Sequence, residues 1–226
     1  MHVLRSKVTV RDASNDYVLL GAAGTDATLV LASLITDPPA AALTIAAAPG
    51  ARLLRLDSSR VLIVVDREHG HALTEALTAQ LHPLSTDLWD WTDIRAGIPY
   101  VTPATQDQFV PQMANLDLIN GVSFTKGCYP GQEIVARMHY LGKLKQRMYL
   151  AAAPDDELPQ PGDKLYGPDT GEQATGMIVN AARGPDGRPA ALAVMHIESF
   201  KRGEVHLKAP AGPRLEFMDL PYSIPS

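Results

Sequence analysis

Two apolar runs, Leu53-Leu54-Arg55-Leu56 and Val61-Leu62-Ile63-Val64-Val65, face each other across the four polar residues Asp57-Ser58-Ser59-Arg60. So short a polar break between two strand-like runs reads as an antiparallel hairpin. Asp66 follows at once and precedes a helix in which Leu73, Ala76, Leu77 and Leu81 share one face. Upstream, the alternation in Lys7-Val8-Thr9-Val10-Arg11 and the run Tyr17-Val18-Leu19-Leu20 read as strands. Thr25 or Asp26 is placed to cap a helix reaching Ser33, which the Asp37-Pro38-Pro39 break ends. Strands and helices in this order predict an α+β layer and not a parallel α/β sheet.

The chain changes character at the Gly- and Pro-rich stretch 154–168. Short strands are expected at 148–152, 176–180, 191–197, 204–208 and 215–218, with Gly184-Pro185-Asp186-Gly187 as a hairpin loop between two of them. That pattern predicts a small antiparallel barrel. Two domains are therefore expected, 1–147 and 148–226.

A net charge of −5 gives no general affinity for nucleic acid, which needs a clustered positive field. One cysteine excludes an internal disulfide framework and a self-contained iron–sulfur site, and fits a reducing, cytoplasmic compartment. The seven histidines are scattered without metal-ligand spacing, so no permanently bound metal is expected. No apolar run is long enough to span a membrane.

The one cysteine lies in Phe124-Thr125-Lys126-Gly127-Cys128-Tyr129-Pro130-Gly131-Gln132-Glu133. Gly127 and Gly131 permit backbone conformations closed to other residues, and Pro130 sets φ in the turn between them. Gln132 onward reads as a helix start. A thiol ahead of a helix N-terminus with a lysine beside it is a setting that favours thiolates. Two readings stand: a reactive thiol, and a buried structural cysteine. A hydrolytic nucleophile would need a histidine base with a third orienting group, and His139 has no such company.

The block Lys126-Gly127-Cys128-Tyr129-Pro130-Gly131-Gln132-Glu133 resembles the signature of the YgfZ-type folate-binding proteins, relatives of the glycine-cleavage aminomethyltransferase that act in maturation of iron–sulfur proteins. The resemblance extends to Trp89, Ile94-Arg95-Ala96-Gly97-Ile98-Pro99, Phe109-Val110-Pro111-Gln112, Asn115-Leu116-Asp117 and Gly121-Val122-Ser123-Phe124 upstream. Gly142-Lys143 and Lys145-Gln146-Arg147 continue it downstream. It implies an α+β domain of aminomethyltransferase-like, folate-binding architecture followed by a small C-terminal antiparallel β-barrel. Such relatives carry a further N-terminal region ahead of the segment resembling Val3-Leu4-Arg5-Ser6-Lys7-Val8, so domain 1–147 is expected to be N-terminally incomplete.

The resemblance also implies roles. Tetrahydrofolate, or another folate, is the expected cofactor, and iron–sulfur client or assembly proteins are the expected partners, with no direct nucleic-acid or membrane partner. Cys128 would be the functional thiol, with Lys126 and the following helix as its electrostatic support. Trp89 would offer an indole face to the pterin ring; core packing is the other reading of that residue. Trp91, two residues on, would point the same way on a strand. Arg95 stands where aminomethyltransferases carry a glutamate. Arginine only donates hydrogen bonds, so it would meet a carboxylate such as the folate glutamate tail, or else solvent. Lys126, Arg137, Lys143, Lys145 and Arg147 form a positive run containing only Glu133 as an acid. The run reads either as a solvated face or as a patch for an anionic partner. The implied function is a tetrahydrofolate-binding accessory protein in iron–sulfur cluster assembly or repair, serving enzymes such as tRNA-modifying methylthiotransferases. The alternatives are a folate-dependent one-carbon transferase and an inactive truncated remnant.

Overall fold

A computed structural model describes residues 8–35, 37–154 and 157–225. The chain forms two compact units dividing at Leu84/Ser85. The boundary expected at 147/148 falls inside the second of them, just after the start of a strand.

In the first unit, β1 (Tyr17–Ala23), α1 (Thr25–Leu34), β2 (Ile45–Ala48), β3 (Ala51–Arg55), β4 (Arg60–Asp66) and α2 (Arg67–Thr78) build a four-stranded antiparallel sheet of order β1-β4-β3-β2. The anticipated β3–β4 hairpin is present, with Arg55 opposite Val61. Its turn is held by Asp57, whose Oδ1 accepts the N–H groups of Ser59 (2.8 Å) and Arg60 (2.9 Å). The β2–β3 turn is Pro49-Gly50, where Gly50 takes φ +65°, the conformation a proline-led tight turn demands of its next residue. Leu53, Val61 and Ile63 from the sheet, Ala27 and Leu31 from α1 and Leu77 from α2 form the core, so the helices cover one face of the sheet.

Two expectations fail here. Residues 8–11 form no strand, and Lys7 lies outside the described residues. Val8 and Val10 are both exposed, so the alternation had no surface to pack against. Helix α1 is capped by Gly24, at φ 102°, and not by Thr25 or Asp26, which lie inside the helix.

In the second unit, α3 (Thr86–Arg95), a long irregular connection, and α4 (Gln132–Tyr140) precede a six-stranded antiparallel sheet. Its strands are β5 (Gln146–Ala152), β6 (Lys164–Tyr166), β7 (Ala174–Arg183), β8 (Pro189–His196), β9 (His206–Leu207) and β10 (Glu216–Met218), in the order β10-β5-β8-β7-β6-β9, with α5 (Ile197–Arg202) after β8. The Gly184-Pro185-Asp186-Gly187 loop joins β7 to β8 as an antiparallel hairpin. The sheet curls until its ends meet. Next to β9, Leu207 donates to the Pro213 carbonyl and Leu215 donates to the Val205 carbonyl, and Leu215 leads directly into β10. This is the expected small barrel.

Strand β8 is buried from Pro189 to Met195, and the alternation along β5 shows why. Tyr149 and Ala151 point into the barrel with Leu165, Ile178 and Leu215. Met148 and Leu150 point outward and pack with Leu192, Val194 and Ile94 of α3. A strand covered on both faces reads as a continuous apolar run. A bulge between Ile178 and Asn180 turns the Asn180 amide outward, where it exchanges hydrogen bonds with the backbone N–H (2.7 Å) and carbonyl (3.1 Å) of Tyr100.

Candidate functional site

The cysteine loop is closed at both ends by its own sequence. Gly131 takes φ 83° and caps α4, the left-handed conformation that a side chain would resist. The Tyr129 N–H donates to the Gln132 side-chain oxygen, and the Gln132 N–H donates to the Tyr129 carbonyl, each at 3.2 Å. At the other end, the Phe124 ring stacks on His139 in the last turn of α4, with centroids 3.7 Å apart. The loop therefore leaves α4 at one end and returns to it at the other. Between these anchors Lys126, Gly127 and Cys128 are exposed. Gly127 has open space around it and no positive φ, so of the two glycines only Gly131 is required by the backbone.

The exposed thiol removes the buried structural reading of Cys128. The Lys126 ammonium lies 4.7 Å from the Tyr129 ring centroid, a cation–π contact that spans the Gly127-Cys128 segment and keeps the positive charge on the loop. Glu133 sits in the first turn of α4, where the helix dipole favours a negative charge.

A buried polar network anchors α4 from behind. Gln112 donates from Nε2 to the Val135 carbonyl at 2.7 Å. The Gln112 carbonyl accepts from Arg147 Nη1 at 2.7 Å, and Arg147 grips Asp117 through two bonds of 2.7 and 3.0 Å. Asn115, fully buried at φ 57°, donates to the Met148 carbonyl at 2.8 Å and reaches the Tyr222 hydroxyl at 3.4 Å. That hydroxyl donates to the Gly97 carbonyl at 2.9 Å, just past α3. The network thus joins the base of α4 to the end of α3 and to β5. It also corrects the positive run. Arg147 is a buried, paired structural residue, while Lys126, Arg137, Lys143 and Lys145 remain exposed. Gln112, Asn115 and Asp117 entered the sequence reading only as parts of family blocks. The clue to their partner was an arginine set at the head of an apolar strand.

Trp89 and Arg95 stand on α3, a helix and not a strand, so Trp89 and Trp91 point to nearly opposite sides. Trp91 packs on the outer face of the barrel beside Gly184, where its indole Nε1 would lie 2.8 Å from an added Cβ. Trp89 is half-buried. Arg95 is exposed, one turn beyond Trp91, with its guanidinium 6.0 Å from that ring and Nη1 3.1 Å from Met218 Sδ. Neither of the latter contacts neutralises its charge. His139, stacked on Phe124, is committed to shaping the loop.

The arrangement presents an exposed thiol on a loop fixed at both ends, backed by a buried ionic network, together with a half-buried indole and an exposed guanidinium on one helix. No family model matches the chain. In sequence it is 34% identical over 223 residues to the tRNA-modifying protein YgfZ of Yersinia pestis (strain Pestoides F), covering 97% of this chain and 67% of the relative. It is equally similar to the tRNA-modifying protein YgfZ of Pectobacterium carotovorum subsp. carotovorum (strain PC1), covering 97% of this chain and 66% of that protein. In structure it resembles the glycine cleavage system aminomethyltransferase T from Bartonella henselae, with a TM-score of 0.61 at 15% identity. That likeness covers 91% of this chain and 59% of the other, and it is a likeness of fold. The chain thus spans about two thirds of the length of its sequence relatives, and it belongs to the YgfZ family of tRNA-modifying proteins.

Proposed function

We propose that this chain is a tetrahydrofolate-binding accessory protein in iron–sulfur cluster assembly or repair, and that it serves cluster enzymes that modify tRNA. The observation that carries the reading is the exposed Cys128 on a loop pinned by Gly131 at one end and the Phe124–His139 stack at the other. A thiol held in place and open to solvent can form a mixed disulfide or donate transiently to a metal on a partner, whereas a buried one cannot. Lys126 is its electrostatic support.

Helix α3 would offer a folate two separate contacts. Trp89 and Arg95 are six residues apart on one helix, about 9 Å along its axis and about 120° round it, so a ligand that met both would bend round the helix. A flat pterin suits the Trp89 indole, and a carboxylate suits the exposed Arg95 guanidinium on the Trp91 side of the helix. Folate bound there would supply a one-carbon carrier; Trp89 would orient its ring and Arg95 its anionic tail. The relatives' name as tRNA-modifying proteins and the fold shared with an aminomethyltransferase support this reading.

The test is activity of an iron–sulfur tRNA-modifying enzyme in a bacterial host lacking its own homologue, supplied with this chain or with Cys128→Ala at matched soluble levels. Rescue by the first and not the second is expected. Equal rescue by both would reduce Cys128 to a bystander, and no rescue by either would overturn the maturation role.

A further inference from the structure

The face of α4 turned away from the Gln112 anchor carries Ile134, Met138 and, just past the helix end, Leu141, spaced i, i+4, i+7 along about 10 Å. This is the spacing of a packed helix stripe, yet Ile134 is 61% and Leu141 84% exposed. Ile134, Arg137, Met138, Leu141 and Gly142 line a shallow groove. Gly142 shapes its end, because a Cβ there would sit 2.6 Å from the Met138 sulfur.

Arg137 lines the groove, and Lys143 and Lys145 follow Gly142 along the chain. Arg137, Lys143 and Lys145 are exposed and, among the described residues, make no ion pair. Lys126 stands on the loop that leads into the same helix, and Glu133 is the only acid between 126 and 147. A chain of net charge −5 thus sets cations that make no ion pair among the described residues on and beside an exposed aliphatic helix stripe.

We propose that this groove docks an acidic amphipathic helical segment of a partner protein. Aliphatic side chains at helical spacing are matched by the apolar face of a second helix, and the cations by carboxylates flanking that face. A polyanion such as RNA would use the cations alone, leaving Ile134 and Leu141 in water, since bases stack on aromatic rings and not on branched aliphatic chains. The segment would lie along the helix that Cys128 precedes. Only the identity of the partner as an iron–sulfur client rests on the function proposed above; the docking itself does not.

The experiment is fluorescence anisotropy of the whole chain with labelled amphipathic helical peptides of about 15 residues, leucines on one face and glutamates flanking them. A lysine-flanked panel with the same leucines and a polyuridylate oligonucleotide serve as the other arms. Saturable binding of glutamate-flanked peptides is expected, falling as salt rises. It should weaken by at least about tenfold in Ile134→Ala/Leu141→Ala, which removes two anchor side chains, and also in Lys143→Glu/Lys145→Glu. These positions are exposed, and unchanged thermal melts would confirm intact folds. The proposal is overturned if no glutamate-flanked peptide saturates, if the lysine-flanked panel binds as well, or if the oligonucleotide binds while the peptides do not. Rescue of the cluster enzyme by the unaltered chain, if that chain binds no glutamate-flanked peptide, would refute docking and leave the thiol reading in place.

Discussion

Asp117→Ala tests whether the network behind α4 is a structural keystone. Both Asp117 oxygens accept from Arg147, at 2.7 and 3.0 Å, and the two side chains are only 12% and 10% exposed. Removing the carboxylate leaves a guanidinium nearly out of water. Breaking a buried pair costs about 3–5 kcal/mol, because the remaining charge is stranded. Arg147 keeps two neutral acceptors, the Gln112 carbonyl and Asn115 Oδ1, which places the loss near the lower end, at about 3 kcal/mol. For a chain of this size each kcal/mol moves Tm by about 2–4 °C, so a drop of roughly 6–12 °C is expected. Urea unfolding read by tryptophan fluorescence suits the measurement, since both tryptophans lie on α3 and Trp91 packs directly on the barrel. A loss under about 1 kcal/mol would refute the reasoning, because that is the worth of a solvated surface pair. The double variant Asp117→Leu/Arg147→Met, which removes both charges, should regain most of the loss.

Three further outcomes follow from the same geometry. Gly131→Ala meets no neighbouring atom but forces φ near +83°, so it should cost about 1 kcal/mol and speed amide exchange in the first turn of α4; Gly127→Ala, in open space without positive φ, should stay within about 0.5 kcal/mol. Burial between Phe200 and Phe217 pushes the Tyr149 phenol up to about 12. The unfolded phenol ionises near 10, so stability is whole below that pH and declines as pH rises through about 12; Tyr149→Phe should flatten the decline in urea unfolding at alkaline pH, and an unchanged slope would count against the assignment. Cys128, being exposed, should react fully with a thiol reagent in the native protein, and protection that lifts only in denaturant would contradict the loop described above.

Local chemistry was enough to determine a good part of the fold. The Asp57-Ser58-Ser59-Arg60 turn forms because the aspartate satisfies the turn's own N–H groups, and the Gly184-Pro185-Asp186-Gly187 loop makes its hairpin for similar reasons. Gly131 caps α4 because the αL position after Pro130 excludes most side chains. Helix α2 was legible from the spacing of Leu73, Leu77 and Leu81. These features depend on residues within a few positions of each other, and the order of the resulting hairpins and helices is enough for an α+β layer followed by a barrel. The short strands β2 and β6 and the helical state of α3 were not legible. Helix α3 carries two tryptophans and two threonines, residues equally at home in a strand, and tertiary packing settles the choice by laying Trp91 and Ile94 on the barrel.

Tertiary structure alone decided what the charged residues do. Arg147 shares its sequence neighbourhood with Lys143 and Lys145, but it lies near the start of a strand that is buried from Arg147 to Ala151, and Asp117, thirty residues away, comes back to pair with it. The same folding-back exposes Cys128 and leaves Ile134 and Leu141 in solvent. The sequence by itself determined the local turns, the helix cap and the family signature, because each depends on neighbours along the chain. Burial depends on which distant segment arrives to cover a side chain, and that is why only the folded molecule separates the structural arginine from the free cations, and the exposed thiol from a core cysteine.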